Sequence, residues 1–224
     1  MGELHQLLGP NGLDFQNLSP PVQLALALGL SVLLPAALMT TTCFTRVVIV
    51  LAFARQALAT QNIPPNLVLT GLALFLTLYI MQPTLQEIDQ AALQPYLNQQ
   101  LPGPAAIQKG LDIHKRFLLR HTRQRDLALF LHLSGQHTLE EPEQTPILTV
   151  IPAFVISELK TAFIMGFCIY LPFLMVDLVV SSVLTSMGMV MMPPVTISAP
   201  FKILLFVLAD GWHWVSYAVA ASYA

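Results

Sequence analysis

The chain has 224 residues, of which 55% are hydrophobic and only 10% charged, against about 25% charged in a typical soluble domain. That balance argues against a soluble globular enzyme and excludes a disordered chain, which needs low hydrophobicity and high net charge. A formal net charge of −2 points to no nucleic-acid partner, and two cysteines, Cys43 and Cys168, each inside an apolar run, rule out a disulfide scaffold. What remains is an integral membrane protein or an obligate subunit of a membrane assembly.

Charge is unevenly placed. Twelve of the 22 acidic and basic residues fall between Asp89 and Glu143, while Phe15–Thr45, Gln56–Gln86 and Leu178–Phe201 carry none. Roughly 20 apolar residues cross a bilayer as a helix, so each stretch is long enough. The pattern reads as all-α in four parts. These are a polar N-terminal segment, 1–21; a first apolar helical hairpin, 22–82; a polar, mainly helical insert, 83–146; and a second apolar hairpin, 147–224, with a methionine-rich loop.

Met1–Pro21 has no basic region leading to a small-residue cleavage site, so no signal peptide is expected in it. The first apolar stretch, Val22 to about Ala54, is long for one span, and Pro35 is expected to kink it. The second runs from Asn66 to Gln82, after a connection ending in Pro64-Pro65. Arg46 and Arg55 favour the cytoplasm for that connection and place the insert on the far side. Within the insert, Ala105–Leu133 has helical periodicity, with Ile107, Leu111, Phe117/Leu118 and Leu129/Leu133 as the expected apolar stripe and a bend near His121–Gln124. Lys109, Lys115, Arg116, Arg120, Arg123 and Arg125, against Asp112 and Asp126, make it locally basic, most simply as a solvated face, with a partner-subunit or headgroup contact as the alternative.

The apolar part resumes after Pro146 and ends in a second Pro-Pro, Pro193-Pro194. The two pairs, flanked in each case by apolar helices, make a weak internal echo of a repeat-built membrane fold. Pro64, Pro65, Gly188, Pro193 and Pro194 are the expected helix breaks. Six histidines occur with no metal-ligand spacing, and there is no phosphate-cradling glycine loop and no nucleophile motif. No catalytic residue, metal or cofactor is expected.

Glu158, Lys160, Asp177, Lys202 and Asp210 stand out in the second apolar part. An ionised group in such a setting costs several kcal/mol unless paired, so interhelical or intersubunit pairs are expected. Glu158 with Lys202 is the preferred pair, with Asp210 or Asp177 available to Lys160; the bland reading is that some of these residues snorkel to water. The other sharp feature is Met187-Gly188-Met189-Val190-Met191-Met192-Pro193-Pro194. Methionine is ordinary apolar filler, but the glycine and prolines argue for a loop, and flexible thioether side chains suit a deformable seal.

These residues carry a resemblance. The run Phe173–Lys202 closely resembles the FliP family of flagellar type III export-gate proteins, as do Leu205–Trp212, Cys43–Val50, Pro64–Thr77 and Ser157–Phe163. The likeness covers about residues 25–215. Phe117–Phe130 resembles the flagellar branch, although Val179–Val183 and Thr196–Ser198 also occur in the virulence-injectisome counterpart. The resemblance implies four apolar spans and assembly into a homopentameric ring with FliQ and FliR, beside other export-apparatus membrane proteins. It implies a portal for unfolded flagellar substrates in the bacterial inner membrane, within the flagellar basal body, with much of the mass above the bilayer plane. It also implies a gasket at Met189, Val190 and Met191, flanked by Met187 and Met192, with Val190 standing where a methionine is usual. The rival from a different class is a small secondary transporter or ion channel, coupled through Glu158, Asp177, Lys202 and Asp210.

Overall fold

The structure, a computed structural model, describes residues 19–60, 62–135, 144–189 and 191–223. Among these the secondary structure is helical, with no strand. The polar N-terminal segment, 1–21, lies almost wholly outside the described residues. The chain divides into two compact units near Thr40.

The first unit contains helix α1, Pro20–Thr40, an apolar helix without a charge, in which Pro35 sits without ending it. The expected kinked stretch Val22–Ala54 is therefore corrected: it breaks at Thr41–Cys43, and α2 starts afresh at Phe44. The cause is the threonine run Thr40–Thr42, whose hydroxyls compete for backbone groups; Thr42 Oγ1 accepts the Phe44 N–H at 3.4 Å.

In the second unit, α2 (Phe44–Ala57) is the central element. Val47, Val50, Leu51 and Ala54 are fully buried. It packs along α7 (Ile147–Ser186) and α3 (Asn66–Ile88). Gly166 of α7 permits that approach, because a Cβ there would lie 2.5 Å from the Phe53 ring. Phe53 in turn meets the edge of Phe163 at 5.5 Å.

Helix α3 outruns its expected end at Gln82. It passes through Pro83 to Ile88, and a π turn, Asp89–Leu93, carries it into α4, Gln94–Leu97. Pro83 inside it removes one backbone donor, and its fixed φ remains within the helical range. The insert continues as α5 (Gly103–His121) and α6 (Gln124–Leu133), with the bend at Thr122–Arg123. Its buried face differs from the expected stripe. Ala106, Ile113, Phe117, Leu118 and Leu131 are buried, whereas Ile107, Leu111, Leu129 and Leu133 are exposed, Ile107 at 67%. Positions 106, 113 and 117 share one side of a 3.6-residue helix, and 107 and 111 turn away from it.

Helix α7 is one unbroken helix of 40 residues, with Pro152 and Pro172 inside it. At 1.5 Å per residue it is about 60 Å long, twice a bilayer core. Its antiparallel partner α8 (Pro194–Leu208) leads to α9 (Gly211–Ala221) across a bend of 64°. Asp210 takes the left-handed conformation at the bend, φ 51°, and Gly211 follows because a Cβ there would run into the Phe206 ring. Among the described residues three helices qualify as membrane spans by length and apolarity: α1, α3 with its continuation to Leu97, and α7; the bent α8–α9 pair makes four.

Candidate functional site

Three polar or loop features lie along the α7–α8 hairpin. At its tip, α7 ends in a Schellman motif. Gly188 (φ 76°) donates its N–H to Thr185 O at 3.0 Å, and Met189 donates to Leu184 O at 3.0 Å. Pro193 caps the start of α8 and Pro194 is its first residue, where a missing N–H costs nothing. Both ends of the loop are thus set by backbone chemistry. Met187, Met189, Met191 and Met192 are all exposed, Met191 at 99%; Val190 lies outside the described residues. The other Pro-Pro pair occupies the α2–α3 break, where Ile63–Pro64 is cis and Pro65 caps α3.

Below the tip, Asp177 of α7 joins Ser198 and Lys202 of α8. Lys202 Nζ donates to Asp177 Oδ2 at 2.6 Å, and Ser198 Oγ donates to Oδ1 at 2.5 Å. Lys202 is only 2% exposed. One turn further down, Phe173 and Phe206 meet with ring centres 6.1 Å apart.

The third feature is deep in the unit. Glu158, fully buried, accepts from Arg46 Nε at 2.9 Å, from Arg46 Nη2 and from the hydroxyl of Tyr223. Arg46 Nη1 also donates to Ser222 Oγ at 2.9 Å and to Ser222 O at 3.3 Å. All three guanidinium nitrogens are engaged, through four of their five N–H groups, which keeps the cost of burying the arginine low. Nearby, Ser157 Oγ donates to Asp126 Oδ2 at 2.7 Å and accepts from the Arg123 N–H at 3.0 Å, and Arg123 Nη2 donates to Thr161 Oγ1 at 3.0 Å. The insert is thereby tied to α7.

These pairings correct the expected ones. Within one chain Lys202 does not reach Glu158, because α7 is unbroken: Glu158 and Asp177 are about 28 Å apart along it, and the antiparallel α8 brings Lys202 to Asp177. Lys160 is exposed with no side-chain partner among the described residues, since Asp177 lies about 26 Å further along the same helix. Asp210, exposed at the α8–α9 bend, makes no side-chain bond there either. Arg46, read with Arg55 as a topology marker, is 4% exposed and serves Glu158, while Arg55 is bonded to Pro64 O at 3.2 Å and to Asn66 Oδ1 at 2.5 Å in the connection. Arg46, Ser222 and Tyr223 are site residues that the sequence reading missed. The signal for Arg46 was its isolation, as the first charge after Asp14.

No group of three or more His, Cys, Asp or Glu side chains converges on a metal-sized site among the described residues. The arrangement is one of buried pairs that hold helices together and a thioether-rich loop presented outward.

A family model described as "FliP family" matches residues 27–219. The chain is 51% identical over 210 residues to the flagellar biosynthetic protein FliP of Bacillus subtilis (strain 168), covering 94% of this chain and 95% of the relative. It is 47% identical over 214 residues to the protein of the same name from Pectobacterium carotovorum subsp. carotovorum, covering 96% and 82%. The corresponding figures for Aquifex aeolicus (strain VF5) are 46% over 209 residues, 92% and 87%.

Proposed function

The chain belongs to the FliP family of flagellar biosynthetic proteins, and we propose that it is a pore-forming subunit of the flagellar type III export gate. It is a component of flagellar protein export with helices apolar enough to lie in a membrane. In the finer reading, five copies form a ring with FliQ and FliR in the inner membrane at the flagellar basal body. The insert, 83–146, faces away from the cytoplasm, and unfolded flagellar substrates pass through the ring.

The observation that supports the pore reading is the hairpin tip. Four thioether side chains project from a loop whose two ends are fixed by the Gly188 cap and by Pro193–Pro194. A short, anchored loop with flexible apolar side chains closes on itself in a ring and yields to a passing chain. The same loop would have no task in a small transporter. Of the three acids the transporter reading would use, Glu158 and Asp177 are each held by a cation, which leaves Asp210 alone free.

The ring is tested by native mass spectrometry of the detergent-extracted protein, expressed with and without FliQ and FliR. A species near five times the monomer mass that gains mass with both partners is expected; a monomer or dimer indifferent to them overturns the assembly. The seal is tested by deleting residues within Met187–Met192 and following small-ion leakage. Increased leakage with the ring intact is expected, and unchanged leakage overturns the gasket.

A further inference from the structure

Of the five charges in the second apolar part, Glu158, Asp177 and Lys202 are paired within the chain. Lys160 of α7 and Asp210 at the α8–α9 bend are exposed, and neither makes a side-chain bond among the described residues. The two left over are of opposite sign.

Each stands alone in an exposed apolar patch. Ile156, Phe163 and Ile164 lie one turn from Lys160 on the same face of α7, and all three are exposed. Asp210 is flanked by exposed Val207 and Leu208 at the end of α8 and by exposed Trp214 and Tyr217 of α9, whose rings meet edge-on at 6.0 Å. Lys160 is about 20 Å from the first residue of α7, too far for its side chain to reach past that end. Apolar patches of this kind are covered by lipid or by protein. Under either cover an ionised group is costly unless it meets an opposite charge, so the need for a counter-ion does not depend on how deep α7 lies in a membrane.

The two charges do not meet within one chain. Asp177 faces Lys202 and Phe173 faces Phe206 across the antiparallel hairpin. Asp210 therefore comes level with about Ile169, which is about 13 Å along α7 from Lys160. A lysine and an aspartate side chain together fall short of that gap.

A second copy of the chain supplies each patch with what it lacks. The patches are different surfaces, aliphatic and phenyl around the cation, indole and phenol around the anion. A copy that offers its Asp210 patch to one neighbour keeps its Lys160 patch for the other, which is the head-to-tail contact from which rings are built.

We propose that Lys160 of one copy pairs with Asp210 of the next around the ring, with Trp214 and Tyr217 of the second copy covering Ile156, Phe163 and Ile164 of the first. The pair rests on the homo-oligomeric ring of the proposed function and names the residues that join its members. A rotation preserves height along its axis, so the pair also sets α7 at an incline to the ring axis.

The test is native mass spectrometry of the full chain over a dilution series, with and without FliQ and FliR. It compares the parent protein with Lys160→Asp, with Asp210→Lys and with both changes together. Each single reversal sets like charges together and should raise the concentration for half assembly at least about tenfold. The double exchange restores opposite signs and should return it near the parent value. Melting temperatures of the dissociated chains check the fold, above all for Asp210→Lys, because position 210 is left-handed. A cross-link needs no lysine there. With Cys168→Ser removing the exposed native thiol, Lys160→Cys combined with Asp210→Cys should give a bismaleimide ladder that runs past the dimer to the ring, whereas either cysteine alone gives dimers at most. A parent chain that forms no ring overturns the ring reading and the pair with it. A ring formed equally by all variants, a well-folded double exchange no better than the single ones, or a ladder that stops at the dimer overturns the pair and leaves the ring standing. Reversals that keep the ring and lose only FliQ or FliR overturn it too, and assign the two charges to those subunits.

Discussion

The guanidinium carbon of Arg46 lies 3.9 Å from the centre of the Tyr223 ring, while the hydroxyl of the same tyrosine donates to Glu158, the carboxylate that Arg46 pairs. One aromatic side chain thus meets both members of a buried ion pair, the cation with its face and the anion with its edge. The three residues come from α2, α7 and the segment after α9, so the contact joins the two apolar parts of the chain.

Removing one partner of such a pair leaves the other charge buried and unmatched. Glu158→Gln is expected to destabilise the fold by about 3–5 kcal/mol, read as a fall in the thermal midpoint of the detergent-solubilised protein by circular dichroism. Tyr223→Phe keeps the ring and loses one bond to a charged group, for roughly 1.5–3 kcal/mol. The double change Arg46→Met with Glu158→Leu should cost less than Glu158→Gln alone. A midpoint unmoved by Glu158→Gln would refute this account.

The helical class and the polar interruption of the apolar chain are legible from charge spacing, because unpaired charges are costly in an apolar setting. Partner choice is not legible in the same way. Glu158 announces that it needs a cation, but whether Arg46 or Lys202 supplies it depends on whether α7 is continuous through Ser157–Lys160 and Asp177. It is continuous because Ser157, Glu158 and Asp177 find partners on other helices and Lys160 stays exposed, so their polarity does not break it. Tyr223 was invisible for a simpler reason: an aromatic residue closing an apolar run is ordinary filler until its hydroxyl is seen to have an acceptor. The turn chemistry of Gly188 and of the two Pro-Pro pairs is local, and local chemistry is what a single sequence displays best.

The Asp177–Lys202 bond is expected to keep the two arms of the hairpin together beneath the methionine loop. Asp177→Asn leaves a nearly buried ammonium with a weaker acceptor, at a cost on the order of 2 kcal/mol because the carboxylate side is partly hydrated. If opening is local, amide exchange in the first turns of α8 should accelerate roughly 30-fold. Exchange unchanged in α8 would show that apolar packing, such as Phe173 against Phe206, holds the arms by itself.

His114 of α5 supplies a pH dependence. Burial holds its imidazole below the ordinary value of 6.5, against a smaller opposing effect of a hydrogen bond with the Thr41 backbone. The unfolded chain therefore takes up the proton at higher pH than the folded one. Stability should be constant above about pH 7 and fall as pH drops through 6.5 toward the lowered folded value, below which this contribution levels off. His114→Gln should remove that part of the acid sensitivity. The check is the difference in melting temperature between pH 7.5 and pH 5.5 for the two proteins; an equal difference in both would assign the acid sensitivity to other groups.

Met191 is the most exposed methionine at the hairpin tip, and the seal reading makes its chemistry, not its shape, the variable. Met191→Leu keeps an apolar side chain of similar volume, so leakage through the assembled ring should stay near that of the parent protein. Met191→Asp places a hydrated carboxylate in each copy of the loop. In the proposed five-copy ring, five like charges around one constriction cannot close it dry, because each would lose hydration without a partner. Conductance of the closed ring in planar bilayers should therefore rise, and for cations more than anions, as expected when a carboxylate ring replaces an apolar constriction. The increase should diminish on acidification as the carboxylates protonate. Equal conductance for the leucine and aspartate variants would mean that the loop does not line the pore.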